Sequence, residues 1–405
     1  MPGPDPEAKG DCSVRLARRI AEVPPYLFAE LDRRRAEAAA RGIDVIPLGI
    51  GDPDLPTPAA VVAALRAACA VPANQRYPDY EGSAAFRRGA AAYMGRRFGV
   101  ALDPAAPPDG QVLALIGAKE GLSHLVWALC DPGDVVLCPD PGYPVYATHT
   151  RFCGGEPYRL PLLPDRGFLP DLDAVPPEVA RRAKLLFLNY PNNPTAATAD
   201  LAFFEQAVAF CRRHDILLAH DNAYAEIGYD GYLAPSVLQV PGAADIAVEF
   251  HSLSKPFNMT GWRIGFCCGN RAAIAALGIV KNNTDSGPFT AIQEAALAAL
   301  ELPRTILDQQ LAVYARRRDL LVEALRRAGI AAPRPRATIY LWCPVPAGET
   351  SAGFAARLLE QTGVFVTPGT GYGTHGEGFF RISLTCPEAR LEEAARRIAA
   401  LPARG

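Results

Sequence analysis

The run His251-Ser252-Leu253-Ser254-Lys255-Pro256-Phe257-Asn258-Met259-Thr260-Gly261-Trp262-Arg263 sets one lysine between serines, with an arginine further along the same segment. A solvated lysine titrates near about 10.4 and stays protonated. To act as an amine nucleophile near neutral pH it must be desolvated or placed beside positive charge. Arg263 is a source of that charge. The mainly apolar stretch 246–250 delivers the cluster to a strand end, where open α/β sheets hold their ligands. Taken alone, a lysine between two serines is an ordinary loop residue, so the chemistry depends on what else the chain supplies.

Two further apolar runs end in polar residues: 184–188 before Asn189-Tyr190-Pro191-Asn192-Asn193-Pro194-Thr195, and 216–219 before His220-Asp221-Asn222-Ala223-Tyr224. A carboxylate at the end of a buried strand is costly unless paired, and a pyridinium nitrogen is one partner that would keep Asp221 ionised while making the ring an electron sink. A helix N-cap aspartate is the competing reading. Residues 112–116 run into Gly117-Ala118-Lys119-Glu120-Gly121, a strand meeting a small-residue turn and an apolar helix. Such a helix start offers unpaired N–H groups to a phosphate, although every βα unit needs a turn of this kind. An amine, a carboxylate for a ring nitrogen and a phosphate cradle together suit a phosphorylated pyridine aldehyde.

Taken in order, Asn193-Pro194-Thr195, Asp221 with Tyr224, and Ser252-Leu253-Ser254-Lys255 followed by Arg263 resemble the class I/II aminotransferases of fold type I. The resemblance runs from about Tyr26 to the C-terminal helix. It implies pyridoxal 5'-phosphate as cofactor, with Lys255 as its Schiff-base lysine and proton carrier and Asp221 paired with the ring nitrogen. Asn193 and Tyr224 would bond the ring oxygen, and Tyr143 would stack on the ring. Gly117, Ala118, Lys119, Ser252, Ser254 and Arg263 would surround the phosphate, with Tyr77 reaching in from the second subunit of a homodimer. Arg381, in Phe379-Phe380-Arg381, would grip the substrate carboxylate with a planar fork that suits it better than a lysine.

Within that family the chain is most similar to LL-diaminopimelate aminotransferases, through Pro25-Tyr26, Leu48-Gly49-Ile50-Gly51-Asp52, Asp140-Pro141-Gly142-Tyr143-Pro144-Val145-Tyr146 and Asp285-Ser286-Gly287. That similarity implies a substrate site lined by Tyr26, Gly51, Lys119, Tyr143, Asn193, Asn283 and Arg381, and a place in lysine biosynthesis. Two departures stand out: Ala196 where the family usually has Gly, and Pro256 after the lysine where Thr is common. They leave open a relative that uses the same cofactor for β- or γ-elimination, replacement or cyclisation in specialised metabolism.

Composition excludes several other classes. The 41 basic and 43 acidic residues give a net charge of −2 without a basic run or basic-aromatic stripe, which argues against a nucleic-acid partner. No stretch approaches the roughly 20 apolar residues of a membrane helix, and the start Met1-Pro2-Gly3-Pro4 lacks a leader pattern, so a cytoplasmic location is expected. Ten cysteines at irregular spacing read as reduced thiols. No metal site is expected: the histidines show no ligand spacing, and adjacent Cys267 and Cys268 would point to opposite faces of a strand.

A chain of 405 residues that is 49% apolar is too long for one compact core. The expected fold class is α/β. Strand-length runs at 112–116, 135–138, 185–188, 216–219, 247–250 and 264–268 alternate with helical patterns, predicting βαβ units and a mostly parallel sheet. Residues 51–305 would form the large cofactor-binding domain. A smaller α+β domain would take 306–405 and an arm from 1–50, with a long helix near 311–327, strands near 339–344, 364–366 and 379–385, and a helix over 387–401. The Pro-rich segment 155–181 reads as an irregular excursion.

Overall fold

The computed structural model describes residues 16–401 apart from 22 and 24–26. At its centre is a seven-stranded sheet of β1 (Val112–Leu115), β2 (Val135–Asp140), β3 (Glu156–Pro161), β4 (Ala183–Leu188), β5 (Leu217–Asp221), β6 (Ala247–Ser252) and β7 (Gly265–Gly269), in the spatial order β1-β7-β6-β5-β4-β2-β3. Neighbours are parallel except at β7, which runs antiparallel to both β1 and β6. The inner strands read as nearly unbroken apolar runs because helices cover both faces. Phe86, Leu186, Phe204 and Phe266 pack on one face, and Leu125, Phe187, Phe250 and Cys267 on the other. Consecutive Leu186 and Phe187 thus serve opposite cores, as strand alternation requires.

The segment expected to be irregular contains a strand. Glu156–Pro161 pairs in parallel with Val135–Asp140 despite Pro157 and Pro161, because it is the sheet edge. Its bonds to β2 come from even positions, Glu156 N to Asp134 O at 2.8 Å and Leu162 N to Asp140 O at 2.8 Å. Both prolines therefore lack their N–H on the open side, where nothing is lost and further pairing is blocked.

A second group of elements forms a separate apolar core around Ile46, Leu48, Tyr314, Leu321, Phe354, Ile382 and Leu391. Its three-stranded antiparallel sheet places Phe379–Ser383 between Thr367–Pro368 and Tyr340–Pro344. Ile46–Pro47 pairs with Val364–Phe365, tying residues before the large sheet to the C-terminal part. The long helix starts earlier than the leucine pattern suggests and spans Arg304–Arg327. The nine cysteines among the described residues are free, and no described helix is long and apolar enough to cross a membrane.

Candidate active site

The C-terminal ends of β4, β5 and β6 meet the start of helix Ala118–Leu129 around a cavity of about 370 Å³. Eleven of the residues expected at the site line it: Gly51, Ala118, Lys119, Tyr143, Asn193, Asp221, Tyr224, Ser252, Ser254, Lys255 and Arg263. The lysine turn follows β6 and is closed by bonds from Phe257 N to Leu253 O and Met259 N to Ser254 O, so it closes without a donor at Pro256. Gln310, on helix Arg304–Arg327, steadies it with a bond to Lys255 O at 3.0 Å. Lys255 Nζ donates to Gly51 O at 2.8 Å. Burial moves its pKa down, with Arg381 and Arg263 adding to that shift and Tyr340 and Asp52 opposing it. Desolvation is thus the leading cause, and Arg263 a minor one.

Three residues after Gly51, Asp54 takes a two-pronged bond from buried Arg317 at 2.6 and 2.9 Å. A Cβ on Gly51 would sit 2.2 Å from the Tyr340 hydroxyl, so only glycine leaves that ring room. Tyr340 in turn bonds Tyr224, hydroxyl to hydroxyl, at 2.9 Å. Burial pushes the Tyr224 pKa well up, which keeps its proton available to donate.

Asp221 ends β5 and is buried. Burial raises its pKa, while the Tyr146 hydroxyl, 2.8 Å from Oδ2, pulls the other way. No helix follows it; residues 223–226 form turns, and Oδ1 receives only the Ala223 N–H at 3.3 Å. The helix-cap reading therefore fails.

Asn193 lies in a turn ordered by Asn189, whose Oδ1 takes the Asn193 N–H at 2.8 Å and whose Nδ2 donates to Asp221 O at 2.7 Å. Ala196, in the same turn, has φ +58°. This left-handed conformation costs an alanine about 1–2 kcal/mol, which explains why glycine is usual here. Ala196→Gly is expected to leave activity intact and raise the thermal midpoint by up to about 2 °C, part of the gain being offset by glycine's extra freedom when unfolded. A fall of several degrees in a melting curve would mean that packing of the buried methyl outweighs the strain.

Gly117 (φ +78°) begins the helix without a side-chain cap, leaving its first N–H groups toward the cavity, and a Cβ there would lie 2.4 Å from Arg263 Nη2. Gly117 thus makes the space in which Arg263 sits. Arg381 is fully buried just behind the cavity wall: Nη1 donates to Asn193 Oδ1 at 2.7 Å, Nη2 to Gly49 O at 2.6 Å, and its guanidinium lies 4.0 Å from the Tyr340 ring centroid. Its Nε is buried without a partner. Tyr77 and Asn283 are exposed and do not join the cavity of their own chain, and Tyr26 lies outside the described residues. Tyr340, Tyr146 and Asn189 join the residues expected at the site. Tyr146 and Asn189 fall inside the Asp140–Tyr146 and 184–195 motifs, whereas Tyr340 reaches the site only through tertiary packing.

These groups fit pyridoxal phosphate. An uncapped helix start with two serines and an arginine would receive its phosphate, the buried carboxyl of Asp221 would pair with its ring nitrogen, and the desolvated amine of Lys255 would hold its aldehyde carbon.

The family model of aminotransferase class I and II matches residues 43–398. LL-diaminopimelate aminotransferase of Gloeobacter violaceus is 55% identical over 388 residues, spanning 96% of this chain and 98% of that protein. The protein of the same name from Moorella thermoacetica is 53% identical over 385 residues, spanning 95% and 98%. Among solved structures, a single mutant of Thermus thermophilus aspartate aminotransferase superposes with a TM-score of 0.88 at 32% identity, covering 95% of this chain and 99% of that one. The chain belongs to the class I and II aminotransferases and is a pyridoxal-phosphate-dependent transaminase, moving an amino group between an amino acid and a 2-oxo acid.

Proposed function

We propose that this transaminase acts on LL-diaminopimelate or its cyclic keto product, with 2-oxoglutarate or glutamate as the other substrate, as a cytoplasmic homodimer with shared sites. The observation that carries the substrate is the 55% identity, across 96% of the chain, to a protein named for it. Tyr77, placed by the resemblance in the second subunit's site, is 85% exposed and outside the cavity of its own chain, which leaves it free to reach a partner's.

Bound here, pyridoxal phosphate supplies an electron sink for the pair left when the substrate Cα loses its proton. The chain's residues prepare that step. Lys255, an amine whose pKa is lowered by burial, holds the cofactor and then moves the Cα proton. Asp221 keeps the proton on the ring nitrogen. Tyr224 and Asn193 donate to the ring oxygen, and Tyr143 walls the ring face. Ala118 and Lys119 at the helix start, with Ser252, Ser254 and Arg263, hold the phosphate, and Tyr77 of the second subunit completes that end. Arg381 takes the substrate α-carboxylate, which would satisfy its unpartnered Nε.

A panel of amino donors, with 2-oxoglutarate as acceptor, tests the substrate: conversion of LL-diaminopimelate is the expected result. Turnover confined to alanine or aromatic donors would contradict it, and release of an eliminated group without a keto acid would favour the elimination or replacement chemistry left open by Ala196 and Pro256.

A further inference from the structure

On the sheet face opposite Asp221 lies a buried polar cluster that the steps above do not use. His220 and Glu249 are direct cross-strand partners on β5 and β6, and both are fully buried. Glu249 Oε2 accepts from His220 Nδ1 at 2.8 Å, the Ser236 hydroxyl at 2.9 Å and Val237 N at 2.9 Å, while Oε1 accepts from His251 Nε2 at 2.7 Å. Burial pushes the Glu249 carboxyl up, but the hydrogen bonds from His220 and His251 outweigh it and hold the group ionised. The second ring nitrogen of His220, Nε2, lies 2.9 Å from Tyr190 O. A carbonyl oxygen only accepts, and so does an ionised carboxylate, so both nitrogens of His220 must carry hydrogens.

The cluster touches each part of the site. Through Tyr190 it holds the turn in which Asn189 binds both Asp221 O and Asn193 N. His220 is followed directly by Asp221, and His251, stacked on Phe266 at 4.8 Å, directly precedes Ser252 and the lysine turn. Other titratable groups facing the cluster are Tyr93 of helix Ala84–Phe98, whose hydroxyl donates to Glu226, and Cys268 of β7; Asp221, on the other face, feels His220 and His251 only through their charge.

We propose that Glu249, with His220 and His251, is a positioning unit for the reaction: it locks Asn193, Asp221 and the 252–255 turn in one register, with His220 fixed between two acceptors, Glu249 and Tyr190 O. The inference rests on the site assignments of the preceding section. Its first test reads His220 directly, so it fails or stands independently of them.

That test is nitrogen NMR of holoenzyme labelled with ¹⁵N-histidine, the His220 signal being identified by its loss in His220→Gln or, should that variant not fold, by its coupling across the bond to Glu249. A hydrogen on each ring nitrogen is expected, because each faces an atom that only accepts. A His220 ring that carries a hydrogen on only one nitrogen overturns the proposal. Positioning is tested with Glu249→Gln, which keeps shape but sets an amide donor among donors. A folded variant should lose at least about tenfold in kcat, with KM for the amino donor changed less than about threefold, and should shift the pH at which the cofactor absorbance changes. If it does not fold, Ser236→Ala removes a single donor and should produce a smaller change of the same kind. A folded variant with wild-type kcat and absorbance profile refutes the positioning role.

Discussion

Lys255→Ala is expected to abolish transamination, lowering the rate by roughly 10⁴-fold or more, a loss typical when a covalent nucleophile is removed. Nothing nearby replaces it. Lys119 also lines the cavity, but it belongs to the helix start beside the phosphate-binding groups. Lys255 alone sits on the turn after β6 with its amine against Gly51 O. The variant should still bind some pyridoxal phosphate, because the uncapped helix start, Ser252, Ser254 and Arg263 remain. A spectrophotometric assay that found more than a tenth of wild-type turnover would remove Lys255 from its assigned role.

Asp221→Ala should fold and bind cofactor but lose about 10²–10⁴-fold in kcat, because a neutral ring takes up the electron pair poorly. The sign follows from the surroundings. Burial raises the carboxyl's pKa, and a cationic ring nitrogen bound beside it would favour the carboxylate and would itself be held protonated in return. Removing the carboxyl removes both halves of that pairing. Near-wild-type turnover would mean that the bonds to Tyr146 and Ala223 are the only business of Asp221.

Much of this was legible before folding, for identifiable reasons. Strands buried on both faces show as apolar runs, and in an open α/β sheet the residues that follow them gather at one edge, so Asn193, Asp221 and Lys255 could be placed at a common site from order alone. Ala196 stands out in the sequence as a departure from glycine, but its significance lies in a backbone φ of +58° that follows from the fold of the turn. The strand Glu156–Pro161 was hidden by its prolines, since a sequence does not say which strand is an edge. Tyr340 lay in a predicted strand whose partner and face depend on how the C-terminal sheet packs against β5. Glu249, within an apolar run, and His220, at the polar end of another, carry no sequence sign that their side chains meet each other rather than solvent.

The chain contains only five lysines, at positions 9, 119, 184, 255 and 281, so the central claim has a clean readout. Borohydride reduction of the holoenzyme followed by peptide mass spectrometry should place the cofactor's mass on Lys255, leaving the peptides of the other lysines unmodified. Attachment at Lys119, or at any lysine other than Lys255, would contradict the site.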